Sequence, residues 1–200
     1  GHTPLPDDLL RMRGLLPEDE FRYQTIYARN EGAVVAPTAG FHFSRELMKR
    51  MEIKGIDSAY VTLHSGLGNF RAIEVEDLTK HKMDSEQMEI NEQNASLINA
   101  TKERDNKVCI VGTTTMKAVE TAAITGNRVK VYSGWSNKFI FPHYNFDIAD
   151  AMITNFHPPL SSMLMMVSAF GGYDLIMEAY KHAVEKEYKF LTYGDAMLII

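Results

Sequence analysis

The alternation of apolar and polar positions becomes regular from about residue 33 onward. Short apolar runs predict strands, and apolar residues that recur every three or four positions predict helices. Strands are predicted at 33–36, 56–63, 107–111, 128–132, 139–141, 151–154 and 196–200. Helices are predicted after Ser44 to about Met51, after the cap Asn91, and at 113–123, 160–170 and 175–187. Strands that alternate with helices in this way indicate an α/β fold with a mainly parallel sheet.

Residues 1–32 lack this regularity, so they are predicted to form an irregular N-terminal segment before an α/β domain at 33–200. The chain begins without methionine and ends on the apolar run 196–200. We therefore expect it to be a piece of a longer protein. Its composition, with 45% hydrophobic and 24% charged residues, is typical of a globular domain.

The bulk chemistry narrows the possible classes of function. A net charge of −5 argues against indiscriminate binding of nucleic acid, although lysines cluster locally. The apolar stretches are far shorter than the roughly 20 residues of a membrane span, so no membrane association is expected. The single cysteine, Cys109, lies in an apolar run and predicts a core position and a reducing, cytoplasmic environment. The oligomeric state stays open.

Polar side chains directly follow four of the predicted strands. These are His42, His64, Thr113–Thr115 and Asn155–His157. In parallel α/β sheets, ligands bind beyond the carboxyl ends of the strands. The pattern therefore predicts that these segments converge on one edge of the sheet and form a binding site there.

The loop that follows His64 has the most unusual composition in the chain. It contains Gly66 and Gly68, which lack the Cβ atoms that would keep a ligand from the backbone. It leads to His81 and Lys82 beside two carboxylates. His64 is a candidate general base or orienting donor, since imidazole titrates near physiological pH. The alternative is a histidine that is simply hydrogen-bonded to a nearby carbonyl.

Thr113–Thr115 lie between a predicted strand and a predicted helix. The free N–H groups of the first helical turn and three hydroxyls can hold a carboxylate or a phosphate, although a threonine here is also an ordinary N-cap. In the stretch 36–43, Thr38 and His42 are candidate substrate contacts and Gly40 permits a close turn.

Asn155 and Phe156 follow the strand at 151–154. An asparagine amide can pair with the edge of adenine, and an aromatic ring can stack on a base. The seven histidines are dispersed, and one cysteine cannot build a zinc site, so no metal cofactor is expected.

Taken together, the motifs resemble those of the S-adenosylmethionine:tRNA ribosyltransferase-isomerases of queuosine biosynthesis. The resemblance lies in the segments Gly1–Pro6, Tyr23–Tyr27, Ala36–Phe43, Val61–Phe70, His81–Glu86, Val111–Thr114, Asp150–His157, Val167–Phe170 and Tyr193–Met197. It covers essentially the whole chain and corresponds to the C-terminal part of the family's proteins. It implies a barrel-like α/β domain that is incomplete on its N-terminal side, with most of an all-β domain absent.

The resemblance also implies a reaction. The ribosyl part of S-adenosylmethionine, a co-substrate and not a cofactor, moves to the 7-aminomethyl-7-deazaguanine of a tRNA. Epoxyqueuosine forms, and adenine and methionine are released. The partners implied are thus S-adenosylmethionine and the tRNA that carries the precursor base.

Roles for individual residues follow as hypotheses from this reaction. His64 or His42 is the hypothesised base, and His81 or His157 the acid. Thr113–Thr115 would hold the carboxylate of the methionine part. Asn155 would read adenine, and Lys80 and Lys82 would meet tRNA phosphates.

The chain departs from the family pattern at Asp84, Lys117 and Pro158, where the family usually has histidine, arginine and leucine. Two alternatives therefore stay open. One is a relative that binds S-adenosylmethionine or RNA without the transfer. The other is a nucleoside-processing enzyme that uses the same pocket on a small molecule. We expect the 200-residue piece by itself to lack part of the tRNA-binding surface.

Overall fold

The computed structural model describes residues 5–70 and 73–200; the first four residues of the Gly1–Pro6 motif and residues 71 and 72 lie outside this description. The helices are α1 Asp7–Arg13, α2 Asp19–Arg22, α3 Arg45–Ile53, α4 Glu92–Glu103, α5 Thr113–Ala122, α6 Ser162–Gly171 and α7 Tyr173–Glu185. The strands are β1 Thr62–Leu63, β2 Glu86–Ile90, β3 Cys109–Val111, β4 Ala123–Ile124, β5 Arg128–Val129, β6 Tyr132–Ser136, β7 Ala151–Asn155 and β8 Ala196–Ile199. Short 3₁₀ helices span Thr38–His42, Leu67–Phe70 and Leu78–Lys80.

The described strands form three small sheets. In the first, β2 lies between β1 and β6 and pairs antiparallel with both. In the second, β7 pairs parallel with β3 and antiparallel with β8. The third is the antiparallel β4–β5 pair. The α/β content is as predicted, but the prediction of a mainly parallel sheet is wrong.

The reason lies in the connections between strands. A parallel pair requires a long crossover, usually a helix, and α5 is part of the crossover from β3 to β7. Between β1 and β2 the described residues contain two 3₁₀ helices and no α-helix, and β2 returns antiparallel. The order of elements does not reveal that β8 runs back along β7. No closed barrel forms among the described strands, so the barrel-like arrangement stays a prediction.

The predicted helix starts are confirmed by their caps. The hydroxyl of Ser44 accepts a hydrogen bond from the N–H of Leu47 at 3.1 Å. The side chain of Asn91 accepts one from the N–H of Asn94 at 3.0 Å. Each cap satisfies a donor that the helix itself leaves without a partner.

Some strand predictions are wrong. Residues 33–36 and 139–141 are not in strands, and the strand predicted at 56–63 is reduced to β1. Cys109 is exposed and not a core residue. Glu86 places a charged residue at one of the three inward positions of β2, which leaves Met88 and Ile90 as the apolar signal, and the strand is not predicted from so short a pattern.

Helix α5 lies at the centre of the main hydrophobic core. It packs against the first two sheets and against α6. Met116, Ala118 and Val119 are buried there together with Ile110 of β3 and Met152 of β7. A helix that is buried over most of its surface carries few polar residues without a specific partner. The polar residues of α5 therefore need individual explanations.

The N-terminal segment predicted as irregular contains the short helices α1 and α2 and is anchored to the C-terminal part of the chain. Asp19 is buried and accepts two hydrogen bonds from Arg13, at 2.7 and 2.9 Å. Tyr193 donates a third at 3.2 Å. The guanidinium of Arg13 holds the pKa of Asp19 well below its usual range.

Candidate functional site

A cavity of about 420 Å³ lies at the N-terminal end of α5. Most of its wall comes from the stretches 35–39, 112–117, 138–140 and 154–163. The parallel strands β3 and β7 both end at this wall, which is where α/β proteins place their ligands. The volume lies within the range of about 300–1,000 Å³ that is typical of small-molecule sites.

Six of the residues predicted to form a site line this cavity. They are Thr38, Thr113, Thr114, Asn155, Phe156 and His157. They come from three separate segments of the chain. Two of these segments lie at the ends of β3 and β7, and the predicted convergence of strand ends holds for those two.

Asn155, the last residue of β7, is buried and joins three segments. Its Oδ1 accepts a hydrogen bond from Thr38 Oγ1 at 3.0 Å. Its Nδ2 donates to the carbonyl oxygens of Gly194 and Asp195, each at 3.3 Å, and lies 3.4 Å from Nε2 of His42. Protein groups therefore form hydrogen bonds with both Oδ1 and Nδ2 of Asn155. The amide could bind the edge of adenine only if adenine replaced these protein partners.

His157 is buried in the same wall. Its Nε2 lies 2.8 Å from the hydroxyl of Thr154, and its backbone N–H donates to Tyr180 at 2.8 Å. Burial lowers the pKa of His157 to about 4, because the charged imidazolium loses its hydration. A histidine that is neutral at pH 7 is better suited to position the wall than to act as a general acid.

The ring of Phe156 packs against Phe190, with the ring centroids 4.9 Å apart, and against Tyr180 at 5.2 Å. It is 4% exposed and lines the cavity. Its ring is thus held by aromatic neighbours on the side away from the cavity, which fixes the shape of this wall.

Lys117 of α5 and Glu86 of β2 form a buried ion pair at the cavity wall. Lys117 Nζ donates to Glu86 Oε2 at 2.7 Å, and both side chains are only 5% exposed. The other carboxylate oxygen of Glu86 accepts the N–H of Gly66 at 2.9 Å. Burying an ion pair costs several kcal/mol of hydration per ion, so stability alone is a weak reason for it.

The start of α5 also faces the cavity, through Gly112, Thr113 and Thr114. Gly112 is the N-cap residue with φ 87° and ψ 151°, a conformation that is essentially restricted to glycine. Among the residues that the structure describes, no side chain caps this helix. The first-turn N–H groups therefore remain available to an anion, as the threonine pattern predicts.

Two predicted site residues, Gly40 and His42, line a neighbouring cavity of about 360 Å³. Thr38 lines both cavities, and the Asn155–His42 contact connects them. A side chain at Gly40 would collide with Tyr27 and Thr25, so close packing explains that glycine.

The loop after His64, which contains Gly66 and Gly68, is predicted to approach a ligand, and the structure shows contacts with other protein groups at both glycines. Gly66 holds Glu86 through its N–H, and a side chain at Gly68 would collide with Asp84. His64 lies outside the cavity wall, with its ring against Gly32 and its N–H bonded to the carbonyl of Gln87 at 2.8 Å. Only its neighbour Ser65 reaches the wall.

The remaining predicted residues also lie outside the cavity wall. The ring of His81 packs against Phe139, itself a wall residue, with centroids 4.8 Å apart. Lys82 is exposed to solvent. Thr115 does not line the cavity, so only two of the three threonines belong to this site.

The sequence placed Glu86 in the His81–Glu86 segment and marked Lys117 as a departure from the family pattern, but it assigned neither residue a role in the site. Two signals were present. Glu86 shares the inward phase of β2 with Met88 and Ile90, so the alternation points it to the interior. Lys117 lies four positions after Thr113, hence on the same face of α5 as the proposed anion contact. A buried glutamate requires a cation, and Lys117 supplies it.

Among the residues that the structure describes, no helix is long and apolar enough to cross a membrane. Within the same residues, no group of three or more histidine, cysteine, aspartate or glutamate side chains is arranged to hold a metal ion.

A partly apolar cavity with a buried ion pair and an uncapped helix start gives this α/β protein a candidate site for a small polar ligand. The family model described as "Queuosine biosynthesis protein" matches residues 1–199, and the chain belongs to this family. The resemblance drawn from the motifs is thereby confirmed.

The curated relatives carry the name S-adenosylmethionine:tRNA ribosyltransferase-isomerase. Those from Phocaeicola vulgatus and Bacteroides fragilis are each 60% identical over 200 residues, which is all of this chain and 56% of theirs. The chain thus spans little more than half the length of these relatives. The crystal structure of an S-adenosylmethionine tRNA ribosyltransferase from Thermotoga maritima is 38% identical, with a TM-score of 0.68, over 82% of this chain and 52% of that one.

Proposed function

We propose that the full-length protein transfers the ribosyl moiety of S-adenosylmethionine to the 7-aminomethyl-7-deazaguanine of a tRNA. The products are epoxyqueuosine in the tRNA, free adenine and methionine, and the reaction takes place in the cytoplasm. The family membership and the names of the relatives support this proposal. We also propose that the full-length protein completes a barrel-like domain around the sheets described above.

The observation that carries the proposal is the cavity at the carboxyl ends of β3 and β7. S-adenosylmethionine joins an adenosyl part with a planar aromatic base to a charged amino-acid end. The cavity likewise joins a mostly apolar wall, including Phe156, to the start of α5. In this proposal the methionine part lies at Thr113 and Thr114, because an uncapped helix start favours a carboxylate.

The chemistry requires a base and a proton donor. The sulfonium acidifies the neighbouring ribose carbon, a base removes that proton, and adenine leaves with a proton. The amine of the deazaguanine then forms its bond to the ribosyl carbon, and ring closure expels methionine. We retain His64 and His42 as the candidate bases. We assign the proton donor to His81, whose ring contacts the wall residue Phe139, because the neutral, hydrogen-bonded His157 suits a positioning role.

The tRNA would approach from the exposed loop that carries Lys80 and Lys82. Both residues are solvent-exposed, and Nζ of Lys80 lies 3.5 Å from Oδ2 of Asp77. Lysines in such a position contribute affinity for phosphate that falls as salt rises.

The test is the release of adenine from S-adenosylmethionine by the full-length protein, measured by chromatography. We expect release only with tRNA that carries the aminomethyl precursor. Release without tRNA would replace the proposal by a nucleoside-processing enzyme. Binding of S-adenosylmethionine without any release would indicate a non-catalytic relative.

The same assay separates the two candidate bases. If His64 is the base, His64→Ala binds S-adenosylmethionine normally and releases no adenine, whereas His42→Ala retains turnover. Normal turnover by His64→Ala would remove it from this role and leave His42.

A further inference from the structure

The buried ammonium of Lys117 has more hydrogen-bond donors than the protein uses. An ammonium carries three N–H donors. Within the described part of the chain, Lys117 Nζ makes one hydrogen bond, to Glu86 Oε2 at 2.7 Å. Because the side chain is 5% exposed and lines the cavity, the cavity is the space open to the other two donors. A buried charge with unsatisfied donors is costly unless a ligand completes it.

The cavity wall beside Lys117 is also suited to an anion. Thr113 and Thr114 precede Lys117 by four and three positions, which places all three on one face of α5. All three line the cavity, and no side chain caps the helix. A full positive charge, the partial charge of the helix start and two hydroxyls thus lie on one wall.

Glu86 fixes the position of this charge. Its carboxylate is held by the backbone N–H of Gly66 at 2.9 Å, so it is itself tied to the loop after β1. A lysine chain is flexible, and a partner at 2.7 Å restricts where its ammonium lies.

We propose that Lys117 binds the carboxylate at the amino-acid end of S-adenosylmethionine, and that Glu86 is a positioning residue that holds Lys117 for this contact. The proposal rests on the proposed function and names the residue that makes the site specific for an amino-acid end. An RNA phosphate shares the same anion chemistry. The cavity volume of about 420 Å³, which is typical of small-molecule sites, favours the small-molecule carboxylate, and the experiment separates the two.

The experiment uses the full-length protein and measures the calorimetric binding of three compounds and, separately, the affinity for tRNA. S-adenosylmethionine has the sulfonium and the amino acid. S-adenosylhomocysteine keeps the amino acid but lacks the sulfonium charge. 5′-Methylthioadenosine lacks both. The main variant combines Glu86→Gln with Lys117→Met, so that no unpaired charge is left in the interior. The control combines Lys102→Met with Asp150→Asn, a lysine–carboxylate pair outside the cavity.

We expect the main variant to bind S-adenosylmethionine and S-adenosylhomocysteine at least about tenfold more weakly, with 5′-methylthioadenosine unchanged. The control variant should bind all three as the wild type does. Equal weakening of all three compounds, or none, by the main variant would overturn the proposal. Loss of tRNA affinity with unchanged S-adenosylhomocysteine affinity would also overturn it and assign the anion to RNA.

Two single variants test the division of roles. Glu86→Gln should weaken S-adenosylhomocysteine but not 5′-methylthioadenosine, which a purely structural role would not produce. Lys117→Arg keeps the charge and should retain most of the affinity. A wild-type protein that binds none of the three compounds would refute the proposed function as well. Wild-type binding that the main variant leaves unchanged would refute this inference alone.

Discussion

Two lysine–carboxylate pairs in this protein use the same chemistry in different surroundings. Lys117 and Glu86 are 2.7 Å apart, 5% exposed, and lie at the cavity wall. Lys102 and Asp150 are 3.0 Å apart and 17% and 18% exposed. Asp150 also accepts the N–H of Val108 at 2.8 Å, and Lys102 also donates to the carbonyl oxygen of Ile148 at 3.2 Å.

The hydrogen bonding and solvent exposure around the two pairs distinguish a structural ion pair from one at a candidate ligand site. Around Lys102 and Asp150, backbone groups complete the hydrogen bonding and solvent is close, so the pair fastens α4 to the start of β3 and β7. At Lys117 the described protein groups supply one hydrogen-bond acceptor. A buried charge whose hydrogen bonding is incomplete and which lies beside a cavity indicates a ligand. A charge whose hydrogen bonds are made by protein groups and nearby solvent does not.

Removing one partner should separate the two pairs most strongly. Lys117→Met removes a cation that lies 2.7 Å from the buried carboxylate of Glu86, and we expect it to lower the free energy of unfolding by about 3–5 kcal/mol. Lys102→Met leaves Asp150 with Val108 and partial hydration, and should cost about 1 kcal/mol. Urea unfolding of both variants measures the difference. Equal losses would show that the pairs play the same structural role.

As the pH falls, the buried His157 of the cavity wall should lower the free energy of unfolding before the Lys102–Asp150 pair does. The pKa of buried His157 is lowered from 6.5 to about 4, so the unfolded chain binds a proton in this window that the folded protein does not. Stability should therefore fall as pH drops from 6.5 to 4, by an amount on the order of 3 kcal/mol from this group.

Asp150 also loses its stabilising contribution as the pH falls, but in a more acidic range than His157. Burial by itself would raise its pKa, but the N–H of Val108 and the ammonium of Lys102 outweigh burial and lower it below 3.8. Its stabilising contribution is thus present above pH 3.8 and lost only below. Unfolding free energies at several pH values should show that His157→Gln flattens the fall between pH 6.5 and 4, while Asp150→Asn changes only the more acidic region. If the free energy of unfolding of His157→Gln fell between pH 6.5 and 4 as steeply as that of the wild type, His157 would not be the group responsible.

The smallest expected effect tests which hydroxyls belong to the anion site. Thr114 lines the cavity and Thr115 does not. Thr114→Val should weaken S-adenosylhomocysteine binding about fivefold, which corresponds to one hydrogen bond of about 1 kcal/mol. Thr115→Val, the matched control one position along α5, should bind as the wild type does. If Thr115→Val lost more S-adenosylhomocysteine affinity than Thr114→Val, the ligand would lie on the other side of the helix start.

Local patterns predicted much of what local physics decides. The caps at Ser44 and Asn91, the extent of α5 and the strand β7 all follow from short-range preferences, and the structure contains them. The motifs also placed Thr113, Thr114, Asn155 and His157 at strand ends that meet at one cavity. Residues 139–141 are not in a strand, and the rings of Phe139 and Phe141 pack against each other with centroids 5.0 Å apart.

The family, the α/β character and the helix start that faces the cavity follow from the residue order and short-range periodicity of the chain. The strand directions, the satisfied hydrogen bonds of Asn155 and the pairing of Lys117 with Glu86 depend instead on how distant segments pack together. Lys117 and Glu86 lie 31 positions apart. Their meeting depends on how β2 packs against α5, and burial in that packed interior is what turns an ordinary lysine into a candidate ligand contact.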